Sequence, residues 1–99
     1  MANLQVVAIM TAKPKSVKLV SEALAALVEP ARSEPGCNSY QLFESAVDPA
    51  TFITVETWSS REDLNAHYQN PQVQRALSAA SDHLVQAPVI HPLIPVNTV

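Results

Sequence analysis

Residues 37–58 read CNSYQLFESAVDPATFITVETW, and the fold turns on them. Thr51–Trp58 is built from β-branched and aromatic side chains, with Glu56 its only charge, and is expected to be a strand. Cys37–Val47 reads as a second strand. Asp48-Pro49 between them suits the first two positions of a tight turn, so the pair is expected to form an antiparallel hairpin. Upstream, Leu4–Thr11 (LQVVAIMT) is short, apolar and β-branched, the pattern of a strand buried on both faces. After Pro14, the residues Val17, Val20, Leu24, Leu27, Val28 and Ala31 recur at helical spacing, and Ser33-Glu34-Pro35-Gly36 stops that helix. Downstream, Ser59 with Glu62 has capping-box spacing, and Leu64, His67 and Tyr68 share one face of a short helix. Asn70-Pro71 opens another helix, with the stripe Val73, Ala76, Leu77, Ala80 and Leu84, before Pro88. Val89–Val96 is a final strand whose prolines Pro92 and Pro95 confine it to a sheet edge.

The order β-α-β-β-α-β is that of an α+β, ferredoxin-like fold: a four-stranded antiparallel sheet with helices packed on it. Right-handed crossovers put both helical connections on one face of the sheet. The strands nevertheless carry apolar residues on both faces. Phe52 and Trp58 oppose Ile53 and Val55, and Leu4, Val6, Ala8 and Met10 oppose Val7 and Ile9. A bare apolar sheet exceeds the few hundred Å² that monomers usually expose. A homodimer built sheet against sheet, of the dimeric α/β-barrel type, is therefore expected.

Composition narrows the function. The 99 residues allow one small domain, 1–99, and 47% hydrophobic content with 15% charged is globular. The net charge is −3 and no basic run occurs, so a surface tracking nucleic-acid phosphates is not expected. The single glycine, Gly36, excludes phosphate-cradling glycine loops, and the single cysteine, Cys37, excludes an internal disulfide. His83 and His91 fit no common metal-ligand spacing. No basic segment precedes an apolar one at Met1–Gln5, and no apolar run approaches the roughly 18 residues of a membrane span. The expectation is a cytoplasmic domain.

Few polar residues are placed to do chemistry. His67 lies beside Leu64 on the inner side of its helix, and Glu56, Thr54, Phe52 and Trp58 share a strand face. An ionisable group between sheet and helices is costly unless partnered. Glu56 with His67, Tyr40 or Arg75 forms a candidate set that takes a proton from a substrate. Structural alternatives stand beside this: His67 as a satisfied core histidine, Glu56 facing an interface arginine such as Arg61 or Arg75, and Trp58 and Tyr40 as core. Cys37 reads as an inert apolar residue.

Three motifs carry a resemblance. Glu34-Pro35-Gly36-Cys37-Asn38-Ser39-Tyr40 resembles the E-P-G-C-x-x-Y opening of the second strand in antibiotic biosynthesis monooxygenase domains. Glu56-Thr57-Trp58 followed by Ser60–Leu64 is similar to their E-x-W-x-S-x-E-x-L segment, and Ala66–Pro71 to their A-H-x-x-x-P element. The small bacterial quinol monooxygenase-like group resembles it most. The resemblance implies a dimer and the oxidation of a quinol or polyphenol, a small aromatic substrate, by O₂ with no flavin, haem or metal cofactor. It implies His67 as base, Glu56 as its orienter, and Tyr40, Trp58, Thr54 and Leu64 around the substrate. Thr54 stands where some members have asparagine, and of the residues the haem-degrading members need only Trp58 is present. A non-catalytic, small-molecule-binding stress-response dimer and an isomerase on the same fold are the alternatives.

Overall fold

The computed structural model describes residues 3–97. Met1 and Ala2, read above for a leader, lie outside that range, as do Thr98 and Val99. The strands are β1 (Leu4–Thr11), β2 (Cys37–Glu44), β3 (Thr51–Trp58) and β4 (Val89–Pro92). The helices are α1 (Val17–Ala25), entered through a 3₁₀ turn at Pro14–Ser16, α2 (Val28–Arg32), α3 (Arg61–Gln69) and α4 (Pro71–Ser81). The sheet order is β2-β3-β1-β4 with every neighbouring pair antiparallel, the ferredoxin-like α+β arrangement. Alternation along β3 sends Phe52, Thr54, Glu56 and Trp58 under the helices and leaves Ile53 and Val55 on the other face. Val6, Ala8 and Met10 of β1 join the covered side.

Several boundaries differ from the sequence reading. The first helix breaks at Ala26–Leu27, because Pro30 offers no N–H to the Ala26 carbonyl and its ring crowds that carbonyl. The second hairpin strand stops at Glu44, not Val47. There Asp48 organises the turn, its carboxylate accepting from the Ala50 N–H at 3.0 Å and the Thr51 hydroxyl at 2.7 Å. Ser60, not Ser59, caps α3, its Oγ accepting from the Asp63 N–H at 3.1 Å, while the Ser59 N–H is used by Gly36 O. Asn70 caps α4 with Pro71 in its first turn, as the sequence indicates. β4 is an edge strand but spans only Val89–Pro92.

The sheet face away from the helices bears Val7, Ile9, Phe43, Ile53, Val55 and Val89, with Phe43 47% and Val55 39% exposed. Within the four strands no Asp, Glu, Lys or Arg stands on this face, and His91 is its one titratable group.

Candidate active site

The site lies between β3, the first half of β2 and the inner side of α3. Along β3 every second side chain points inward, so Thr54, Glu56 and Trp58 are stacked neighbours. Glu56 is 1% exposed, and its carboxylate accepts from Thr54 Oγ1 at 2.6 Å and Trp58 Nε1 at 2.9 Å. Short charge-assisted bonds of this kind offset the cost of burying the carboxylate. From α3, His67 projects into the same layer and is 2% exposed. Its Nδ1 lies 2.8 Å from Glu34 Oε2, in the turn between α2 and β2. The imidazole sits among three rings, with centroids 4.8 Å from Trp58, 4.9 Å from Tyr68 and 5.7 Å from Tyr40.

Beside His67 is a small cavity. Tyr40, Thr54, Glu56, His67 and Tyr68 supply its polar wall. Apolar residues of α1, α4 and β4, among them Leu24, Val73, Leu77 and Ile90, line the rest of it. Its volume is about 20 Å³, room for the centre of about one water. Among the described residues the Tyr40 and Tyr68 hydroxyls and His67 Nε2 make no hydrogen bond, and since no fully buried polar side-chain atom is left unpartnered, each keeps some open surface. Burial, and then the negative charge of Glu56, push both phenols above the ordinary tyrosine range, so both remain neutral donors near pH 7. Burial and then Glu34 raise the Cys37 thiol, which keeps it protonated and agrees with its reading as an inert residue.

The sequence profile of the antibiotic biosynthesis monooxygenase family matches residues 4–79. The chain belongs to that family. Rv0793 of Mycobacterium tuberculosis, named as a candidate monooxygenase, is 28% identical over 85 residues, covering 86% of this chain and 83% of its own. The Synechocystis protein sll1783 is 36% identical over 59 residues, 60% of this chain, and the match spans only 40% of that longer protein. Among solved structures, an antibiotic biosynthesis monooxygenase superposes with a TM-score of 0.87 at 30% identity, covering 95% of this chain and 99% of that one. PA3566 of Pseudomonas aeruginosa gives 0.87 at 29% identity, covering 98% and 97%.

Within this family member the structure brings His67, Glu56, Tyr40 and Thr54 to one cavity, and it corrects their pairing. Glu56 is not the orienter of His67: both its oxygens are engaged by Thr54 and Trp58, and Glu34 takes the imidazole. Neither Arg61 nor Arg75 pairs with Glu56, which faces the interior and not an interface. Trp58, wholly buried, and Leu64 are not on the cavity wall; they pack behind it with Val6, Ala31 and Tyr40. Two site residues escaped the sequence reading in these roles. Glu34 is 33 positions from His67, and no local spacing links them. Tyr68 adjoins His67 and was visible as a helix-face residue, but nothing in the sequence says that it lines the cavity. His83 bonds Ser16 at 2.9 Å, away from the site. Among the described residues no three His, Cys, Asp or Glu side chains gather as a metal site, and no helix is long and apolar enough to cross a membrane.

Proposed function

We propose that this protein is a homodimeric, cofactor-independent monooxygenase that oxidises a quinol- or polyphenol-type ring with O₂. The observation that carries the reading is the free Nε2 of His67, which borders a cavity with two neutral tyrosine hydroxyls and apolar walls. Nε2 takes the proton of a substrate hydroxyl. Tyr40 and Tyr68, which line the same cavity, donate to the resulting oxyanion. The electron-rich anion then reduces O₂. One oxygen atom forms a bond to a ring carbon, the O–O bond breaks, and the other leaves as water, taking the proton held by His67 and the hydrogen lost from that ring carbon. For a hydroquinone the products are a hydroxyquinone and one water. The apolar shell keeps bulk water from the reduced oxygen species. Family membership and a relative named for monooxygenase activity support the oxidoreductase class.

The bare sheet face supports the dimer. It is apolar, free of carboxylates and basic residues within the strands, and backed by no helix of its own chain. A second copy stacked on it buries the face of both. Val55→Asp places an unpaired charge at the centre of that contact, and sedimentation is expected to report a dimer for wild type and a monomer for the variant. A wild-type monomer at micromolar concentration overturns the dimer.

The test of the activity is oxygen uptake with a panel of hydroquinones and catechols, one O₂ per product. His67→Ala is expected to lose about a hundredfold or more, the contribution of a positioned base. Uptake no faster than autoxidation across the panel overturns the reading. The cavity's volume of about 20 Å³, less than an aromatic ring fills, favours a second reading, a dimer that binds a small molecule without turnover. A ligand-dependent thermal shift without oxygen consumption distinguishes it.

A further inference from the structure

Glu34-Pro35-Gly36 has a structural logic that reaches the site. The turn is pinned at three points: the Glu34 N–H donates to Ala31 O, the Cys37 N–H to Glu34 O, and the Ser59 N–H to Gly36 O. Gly36 has φ +80°, a conformation favouring glycine, and a Cβ there meets the Asp63 carboxylate. Asp63 belongs to the capped first turn of α3, and His67 is one helical turn further along the same face. The turn therefore lies along α3, with Gly36 against Asp63 and Glu34 against His67.

We propose that Glu34 is the positioning residue of His67, holding the imidazole as the Nδ1–H tautomer with Nε2 unprotonated towards the cavity. The inference rests on the base role given to His67 above, and it extends that role to a residue from another element. A carboxylate only accepts hydrogen bonds, so at 2.8 Å the proton must lie on Nδ1. The partner of one ring nitrogen thus decides what the other can do. Glu34 does not itself line the cavity and reaches it only through His67.

The experiment is long-range ¹H–¹⁵N NMR of the histidine rings at pH 8, with His67 assigned by the signals lost in His67→Gln. Wild type is expected to show a protonated Nδ1 and a pyridine-like Nε2. Glu34→Ala is expected to populate the Nε2–H form, whereas Glu34→Gln, whose amide oxygen still accepts, retains the wild-type pattern. If the monooxygenase reading holds, Glu34→Ala also lowers kcat about ten- to a hundredfold, part of what a positioned base supplies, with KM little changed. A purely structural role moves melting temperature and leaves the tautomer alone. An Nε2–H ring in wild type overturns the proposal whatever the variants do, as does an unchanged spectrum in folded Glu34→Ala. The NMR needs no substrate, so a positive spectrum without oxygen uptake removes the proposed activity and keeps the positioning role.

Discussion

Replacing Thr54 by Val removes one of the two donors to the buried Glu56 carboxylate and changes little else in shape. Thr54 and Glu56 are 3% and 1% exposed, and the bond between them is 2.6 Å. A hydrogen bond to a charged group contributes about 1.5–3 kcal/mol. The neighbouring cavity has room for about one water, which can partly replace the lost hydroxyl. The expected cost is therefore about 2 kcal/mol, near the middle of that range. For a domain this size it lowers Tm by about 10 °C. The assay is urea and thermal unfolding at one fixed protein concentration, followed by the fluorescence of Trp58, the chain's only tryptophan. A Glu56→Leu background completes the cycle: with no carboxylate to serve, Thr54→Val is expected to cost less than about 0.5 kcal/mol. An equal cost in both backgrounds would falsify the hydrogen-bond account and assign the loss to packing.

The tyrosines make a pH prediction of definite sign. Tyr40 and Tyr68 are the chain's only tyrosines, and both are raised above the ordinary value of about 10. Their burial therefore stabilises the fold fully below about pH 10, and that stability is withdrawn as pH climbs towards their folded values. Tyrosinate absorbance is expected to stay flat past pH 10 and rise together with loss of helical circular dichroism; an ordinary tyrosine titration in the folded protein refutes this. Gly36→Ala is expected to cost about 2 kcal/mol by forcing a side chain against Asp63 at positive φ, and an unchanged midpoint in urea contradicts that geometry. Asn70→Ala, which deletes the 2.8 Å cap on the Gln72 N–H, is expected to cost about 1 kcal/mol in the same measurement.

What was legible in the chain was what depends on near neighbours. Period-two alternation identified β3 with the bounds Thr51–Trp58 and placed Thr54, Glu56 and Trp58 on one face. Asn70-Pro71 marked a helix start because a cap and its target are two residues apart. Errors arose where a single residue interrupts a pattern: the stripe from Val17 to Ala31 looks continuous, and Pro30 breaks the helix by its missing N–H and its ring. Helical spacing and the family motif both pointed to His67, but neither could say which carboxylate it meets.

The local order of strands and helices, the two-faced apolar character of the sheet and the inward set of β3 followed from the sequence itself, because side-chain periodicity is a property of the backbone conformation. Only the tertiary structure decided that Glu34 and not Glu56 holds His67, that Trp58 stands behind the cavity wall, and that Tyr68 joins it. Those are contacts between residues far apart in the chain or on crossing elements. They depend on how the α2–β2 turn docks on α3, a packing event to which no spacing along the sequence corresponds.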